Sequence, residues 1–134
     1  MLYANCQSLC PLLIETNTAV VNALEPAQRS RLRVLLVSLD PKRDSSAALA
    51  ELARAHRLDT TRWTLARTDP AVVRRLAAVL DIRYRQLQGG EFNHTSVLIL
   101  LDGQGRMRAR TEQLGAKPDP QFLAAIRGAL RESK

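Results

Sequence analysis

Apolar residues in this chain follow two patterns, short continuous runs and helical spacings. The runs Val34–Leu39 and Ser96–Leu101 are short, rich in Leu, Ile and Val, and end at polar residues, so they predict buried β-strands. Shorter strands are predicted at 2–4, 63–65 and 106–111. Apolar residues three and four positions apart predict helices that carry the stripes 12–24, 49–56, 72–80 and 122–130. This alternation predicts one α/β domain over residues 1–134.

A hairpin-like loop is predicted ahead of the second buried run. Residues 82–87 alternate in polarity and are followed by two glycines, which is typical of an irregular turn. The loop leads into Asn93-His94-Thr95, so His94 is expected in a polar loop just before a strand. At the front of the chain, the strand-like segment 2–4 runs directly into Cys6. Because domains rarely start inside their central sheet, we expect the chain to lack a natural N-terminal portion.

Composition agrees with a folded domain and excludes several other classes. The chain has 134 residues, 46% of them apolar, and only six Gly and six Pro, which argues against disorder and repeat arrays. No run approaches the roughly 20 apolar residues that span a bilayer. The first residues also lack the basic start and apolar core of a secretory signal. These features predict one domain that is long enough to bury a core.

The basic charge of the chain is scattered rather than clustered. A net charge of +7 comes from 17 arginines and three lysines against 13 acidic residues. The densest arginine groups, 29–33 and 106–110, alternate with other residues, so in a strand they share one face. We favour a solvated strand face over a phosphate-binding surface, and the 4% aromatic content argues against stacking on single-stranded nucleic acid. The charge therefore predicts acidic partners and no nucleic acid.

The two cysteines form a Cys-x₃-Cys-Pro motif, Cys6 to Pro11, between a predicted strand end and a predicted helix start. The unpaired amides and positive dipole end of a helix start stabilise a thiolate, which is the nucleophilic and metal-binding form of cysteine. At this spacing the two sulfurs can form a disulfide or share a soft metal ion. A structural zinc site is disfavoured because it needs four ligands. The alternative without a function is a pair of buried small residues or an incidental disulfide.

A third ligand would have to be one of two histidines. His56 lies on an apolar helical stripe near its end, which is typical of a core or C-terminal capping residue. His94 precedes a buried strand. Binding sites in open α/β sheets lie outside the carboxyl ends of the parallel strands. If the strand after His94 runs antiparallel to those strands, its start lies at the same edge, so Cys6, Cys10 and His94 are expected to converge, with Asp40 near them.

Several segments of the chain carry motifs that indicate a protein family when they occur together. These segments are Leu2–Pro11, Val37–Asp44, Trp63, Glu91–Thr95 and Leu101–Gly105. The Cys-x₃-Cys-Pro motif alone is a weak indication. It is strong together with the Ser-x-Asp-Pro-x-Arg-Asp run and a histidine 84 residues after Cys10. Over essentially its whole length, the chain resembles the Sco/SenC family of thioredoxin-like copper proteins.

This resemblance implies a thioredoxin-like fold, with a central mixed sheet flanked by helices. It implies copper, as Cu(I) or Cu(II), bound by Cys6, Cys10 and His94, with Asp40 as an acidic residue beside these ligands. It further implies a metallochaperone at the periplasmic face of the bacterial inner membrane that helps to assemble the binuclear copper site of cytochrome c oxidase. The partner would then be the copper-bearing subunit of that oxidase, or another copper or thiol protein.

The chain departs from the family pattern at two places. Family members carry an N-terminal anchor and further strands ahead of the cysteine-bearing strand, so we expect a truncated chain whose membrane contact would need an anchor absent from it. Uncovered sheet edges would then favour a dimer or strand exchange. Asn93-His94-Thr95 also differs from the Asp-His-Ser of many members, which removes a carboxylate beside the ligand but no ligating atom.

Two other functions remain open from the sequence. A thiol–disulfide oxidoreductase would use Cys6 as the attacking and Cys10 as the resolving catalytic residue, with His94 tuning the thiolate. The motif speaks mildly against this function, because the usual redox pair is Cys-x₂-Cys. A basic interaction module without chemistry is the weaker alternative, and it would bind nucleic acid with strong salt dependence.

Overall fold

The computed structural model describes residues 1–6 and 9–133, and both helices and strands occur along them. The predicted α/β class is confirmed. The described residues group into two compact units, one from 1–11 and 33–96 and the other from 12–32 and 97 onwards. The assignment of the chain to one domain stays a prediction. In chain order the elements are α1 (Leu9–Asn22), α2 (Pro26–Arg29), β1 (Val34–Val37), α3 (Ser46–Ala55), β2 (Trp63–Ala66), α4 (Pro70–Val79), β3 (Tyr84–Gln86), β4 (Phe92–His94), β5 (Leu98–Leu101), β6 (Met107–Thr111) and α5 (Pro120–Glu132).

The first unit contains a parallel strand pair, β1 with β2. Val34 lies opposite Trp63, and the register continues to Val37 opposite Ala66. A parallel pair needs a crossover connection, and α3 supplies it in the chain. The apolar run of β1 is not buried throughout, because Leu35 is 60% exposed between buried neighbours. Both predicted strands are therefore confirmed, while full burial of the first is wrong.

The segment ahead of the cysteine motif joins the end of β1. Leu2 makes a parallel bridge to Ser38, since its N–H donates to the Val37 carbonyl at 3.1 Å and its carbonyl accepts from the Leu39 N–H at 2.7 Å. In place of the predicted strand 2–4 the structure has only this single bridge, because the residues that follow form a turn. The bridge places the cysteine motif beside the carboxyl end of β1, as the sequence predicts.

The helices of this unit begin at polar residues. The Ser45 hydroxyl accepts from the Ala48 N–H at 3.1 Å and caps α3, while Pro70 opens α4. His56 is the C-cap residue of α3, which is one of its two predicted positions. The inward faces of the two helices bury Leu49, Ala53, Val73 and Ala77.

An antiparallel hairpin, β3 with β4, carries the second histidine. Tyr84 lies opposite His94, and the connecting turn holds Gly90 at φ +84°, where a side chain would be strained. His94 is therefore the last residue of a strand, and its predicted place in an irregular loop is wrong. The reason is that the alternating residues after 82 find a partner strand across the two glycines.

The second unit contains β5, β6, α5 and most of α1. The strands β5 and β6 pair antiparallel, with an irregularity between Leu100 and Leu101. The Asp119 carboxylate caps α5 by accepting from the Gln121 N–H at 2.9 Å. The pairing among the described residues thus takes the form of three two-stranded ladders and one isolated bridge, with both parallel and antiparallel partners.

Helix α1 begins at Leu9, although the sequence predicts a helix that starts after Pro11. Proline is tolerated in a first turn because the N–H that it lacks has no acceptor inside the helix there. Cys10 therefore lies on the helix itself. None of the helices in the described residues has the length and apolar content that crossing a bilayer requires.

Candidate metal centre

The cysteine pair lies where a turn leads into α1. The Cys6 N–H donates to the Tyr3 carbonyl at 3.2 Å and closes the turn. The Cys10 N–H donates to Cys6 Sγ at 3.2 Å. Amides of a first helical turn have no acceptor inside the helix, so the sulfur takes one of them. This hydrogen bond and the positive end of the helix both favour negative charge on Cys6.

Cys10 has a different environment from Cys6. Both residues are thiols in the structure, but Cys6 is partly exposed and Cys10 is only 2% exposed. Burial raises the pKa of the Cys10 thiol far above its ordinary value, and a hydrogen bond with Cys6 raises it further. Cys10 is therefore protonated at neutral pH, and a metal ion that binds it must displace a proton.

The imidazole of His94 offers one nitrogen for a metal. Its Nδ1 lies 3.1 Å from the Thr95 carbonyl, which can only accept, so Nδ1 carries the proton. Its Nε2 is buried and has no hydrogen-bond partner among residues 1–6 and 9–133. Burial lowers the pKa of His94, and the Thr95 carbonyl opposes this only in part. The ring is therefore neutral at pH 7, with a lone pair on a buried nitrogen that needs a partner.

The three predicted ligands come together in the first unit. The sulfurs of Cys6 and Cys10 and a ring nitrogen of His94 all lie within 4.8 Å of one another. Two thiols and an imidazole form a donor set that suits soft metal ions such as Cu(I). The unpartnered Nε2 fits the same interpretation, because a bound ion would satisfy it. The predicted convergence of these residues is therefore found in the structure.

Asp40 lies in the neighbouring turn but not in this group. Asp40 is only 6% exposed, and its carboxylate pairs with the Arg43 guanidinium. The Arg43 guanidinium also donates to the Gly90 carbonyl, in the turn between β3 and β4. Asp40 thus anchors an arginine that contacts the hairpin of His94. Its predicted role beside the ligands stays a prediction.

Asp44 is an acidic residue that contacts the cysteine turn, and the sequence does not indicate this contact. It is 1% exposed, and its Oδ2 accepts from the Ala4 N–H at 2.9 Å and from the Ser38 hydroxyl at 2.7 Å. Its own N–H donates to the Asp40 carbonyl at 2.8 Å. The Ser-x-Asp-Pro-x-Arg-Asp run contains Asp40 and Asp44, but spacing alone does not show which of the two carboxylates contacts the cysteine turn.

Tyr3 is a second residue whose contact with the site the sequence does not indicate. Its hydroxyl accepts from the Phe92 N–H at 3.1 Å, and its ring meets the His94 ring edge-on with centroids 6.0 Å apart. Its position three residues before Cys6 is the only indication in the sequence, and that position does not reveal which strand the hydroxyl would reach.

Almost the whole chain matches one family of known proteins. The SCO1/SenC family profile matches residues 1–131. The chain belongs to the SCO1/SenC family. No curated protein matches this SCO1/SenC chain. Its resemblance to the family, which the sequence motifs indicate, is thereby confirmed.

Solved structures of SCO1/SenC proteins share the fold. A SCO1/SenC family lipoprotein from Bacillus anthracis is 17% identical with a TM-score of 0.80, over 96% of this chain and 77% of that one. The copper-bound ScoI of Bradyrhizobium japonicum is 20% identical with a TM-score of 0.74, over 95% and 80%. The copper-bound ScoI of Arabidopsis thaliana is 16% identical with a TM-score of 0.72, over 98% and 78%. The predicted fold class is therefore confirmed.

Proposed function

We propose that this SCO1/SenC chain binds one copper ion through Cys6, Cys10 and His94 and carries it to another protein. The observation that supports this most directly is the convergence of two thiols and a buried imidazole within 4.8 Å. The two copper-bound ScoI structures support it as well, because their fold matches that of this chain.

The donor set suits a carrier. Thiolates select Cu(I), imidazole accepts either oxidation state, and three protein donors leave room for a donor from a partner. Loading Cys10 releases a proton, because burial keeps its pKa high. His94 releases none at pH 7, because its pKa is lowered. Binding should therefore weaken as the pH falls.

The proposed destination is the binuclear copper site of cytochrome c oxidase, with the copper-bearing subunit of that oxidase as the partner. We also propose that the chain lies at the periplasmic face of the bacterial inner membrane. Both statements rest on membership of the SCO1/SenC family. Transfer from the loaded chain to the isolated copper-bearing domain would test them, and a domain that stays empty would contradict them.

Copper titration tests the proposed site. We expect the reduced protein to take up one copper per chain, and His94→Ala to lower the Cu(II) affinity by more than the roughly 10- to 100-fold typical of residues outside the ligands. Cys6→Ala and Cys10→Ala should each reduce the Cu(I) affinity measured against a competing chelator.

His56→Ala is the matched control, because His56 caps α3 and lies outside the metal-ligating group. It should bind copper as the unmodified protein does. Unchanged copper affinity in Cys6→Ala would contradict the proposed function, and so would an equal loss in His56→Ala and His94→Ala.

A thiol–disulfide oxidoreductase is the second candidate, and the hydrogen bond from the Cys10 N–H to Cys6 Sγ favours it. The Cys6 thiolate would attack a partner disulfide and release one partner thiolate. Cys10 would then attack the mixed disulfide, release the second partner thiolate and leave a Cys6–Cys10 disulfide, which a dithiol protein would reduce again. The raised pKa of Cys10 opposes this second step.

Turnover of a protein disulfide separates the two candidates. An oxidoreductase keeps its activity in His94→Ala and in the presence of a copper chelator. Under the copper-carrier proposal, disulfide reduction is slow and copper binding depends on His94. Fast disulfide turnover without copper uptake would contradict the copper-carrier proposal and support the oxidoreductase instead.

A further inference from the structure

The position of His94 needs an explanation beyond its own hairpin. The hairpin is short, since β3 and β4 each contain three residues. A two-stranded hairpin is marginally stable on its own in water. The imidazole must nevertheless lie within 4.8 Å of both thiols, which belong to a different segment of the unit. Contacts outside the hairpin must therefore fix β4 against the cysteine turn.

The side chain of Tyr3 makes such contacts with β4. Its hydroxyl accepts from the Phe92 N–H at 3.1 Å and lies 3.4 Å from the Phe92 carbonyl, to which it donates. The two rings pack with centroids 5.2 Å apart. Residues two apart in a strand share a face, so fixing Phe92 also fixes the direction of His94. The edge-on contact of Tyr3 with the His94 ring acts on the ligand directly.

The backbone of the same residue holds the cysteine turn. The Tyr3 carbonyl accepts from the Cys6 N–H at 3.2 Å. One residue therefore contacts both halves of the metal-ligating group, the turn through its backbone and the histidine strand through its side chain. Tyr3 is 4% exposed, so its hydroxyl would lack water if it lost these partners.

Ligation by the phenol itself does not explain these contacts. The hydroxyl donates to the Phe92 carbonyl at 3.4 Å, so in this arrangement the phenol carries its proton. The hydroxyl accepts from the N–H and donates to the carbonyl of the same β4 residue, Phe92. The hydrogen bonds of Tyr3 therefore connect β4 to the cysteine turn.

We propose that Tyr3 is a positioning residue of the metal centre, whose hydroxyl fastens β4 to the cysteine turn so that His94 faces the thiols before a metal arrives. The copper measurements that test this inference rest on the proposed function. The measurements on the metal-free protein are independent of it.

Tyr3→Phe tests this role because it removes the hydroxyl and keeps the ring. Tyr84→Phe is the matched control, since Tyr84 is the other tyrosine of the chain and its ring also lies near Phe92, with centroids 6.2 Å apart. In metal-free protein we expect Tyr3→Phe to accelerate hydrogen exchange of the Phe92 amide and to shift the His94 ring resonances. Tyr84→Phe should change neither.

In copper-loaded protein, Tyr3→Phe should lower the Cu(II) affinity by roughly tenfold and alter the Cu(II) electron paramagnetic resonance spectrum. The Cu(I) affinity, to which the two thiols contribute most, should change less. A merely structural role would lower the melting temperature without changing the spectrum of the protein that remains folded. Tyr3→Leu, which also removes the ring, should give a larger loss than Tyr3→Phe.

Several results would overturn the proposal. One is a Tyr3→Phe protein whose His94 resonances and Cu(II) spectrum match those of the unmodified protein. Fast exchange of the Phe92 amide in the unmodified protein would overturn it without any variant. If the unmodified protein binds no copper, the proposed function fails, while the exchange and ring resonances still decide the role of Tyr3.

Discussion

The two cysteines differ in accessibility and in the surroundings of their sulfurs, and this difference predicts their reactivity. Cys6 is partly exposed and accepts a helix-start amide, whereas Cys10 is buried with a raised pKa. Alkylation needs both access and a thiolate. In reduced, metal-free protein we expect a substoichiometric amount of iodoacetamide to modify Cys6 well before Cys10, as measured by peptide mass spectrometry. Equal labelling of the two residues would contradict the hydrogen-bonding and burial pattern of the site.

The buried carboxylate of Asp44 predicts a large effect on stability. It accepts hydrogen bonds from the half-buried Ala4 N–H and the buried Ser38 hydroxyl, so Asp44→Ala leaves both donors without this acceptor. Each unsatisfied donor costs about 1–3 kcal/mol, so we expect the free energy of unfolding in urea to fall by roughly 2–6 kcal/mol. Glu51→Ala is the control, because Glu51 is exposed on α3 and its ion pair is worth little. Similar losses in both variants would contradict this assignment.

At the scale of elements, the sequence predicts the helices and strands better than their ends. Apolar periodicity places α3, α4 and α5 correctly, and a Ser or an Asp stands before each first turn. The start of α1 is wrong by several residues, since proline is compatible with any position of a first turn. The strand that carries His94 is also missed, because three residues are too few to show a period.

The cap of α5 predicts how this element responds to acid. The hydroxyl of Thr111 and the Gln121 N–H hold the pKa of Asp119 below its ordinary value. A carboxylate with a lowered pKa contributes stability that is complete above its ordinary pKa and is lost as the pH falls through the folded value. We therefore expect thermal stability to decrease with acid below about pH 4, less steeply in Asp119→Asn.

Asp69→Asn provides the control for that measurement. Asp69 occupies the same N-cap position in α4, but within the described chain its side chain makes no capping hydrogen bond. We expect this variant to follow the unmodified protein over the whole acid range. A change in Asp69→Asn as large as that in Asp119→Asn would show that the slope does not come from the α5 cap.

At the scale of the whole chain, residue types and chain order were enough to predict which three residues form the candidate site. The carboxyl end of a parallel strand and the cysteine motif meet through the Leu2 bridge, as the general rule for α/β sheets predicts. The residues that fix the ligands could not be predicted in the same way. Tyr3 and Asp44 act mostly through hydrogen bonds to backbone groups, and any strand or turn offers such groups.

The positive charge of the chain leads to a prediction about docking. Arg83 and Arg85 are exposed on β3 or directly before it, and they line an open cleft of about 350 Å³ that also includes His94. Positive charge beside His94, a proposed copper ligand, would steer an acidic surface of the copper acceptor toward the metal centre. We expect Arg83→Glu with Arg85→Glu to slow copper transfer to the acceptor domain by roughly tenfold at low salt, and less at high salt.

A control of equal charge decides whether the position matters. Arg74 and Arg75 are exposed on α4, outside the cleft, and replacing both by Glu gives the same change in net charge, from +7 to +3, two units for each of two substitutions. If the cleft is the docking surface, this variant transfers copper faster than the cleft variant in stopped-flow measurements, and both bind copper equally well. Equal rates in the two variants would mean that net charge alone governs the encounter, and the cleft would then have no special part in docking.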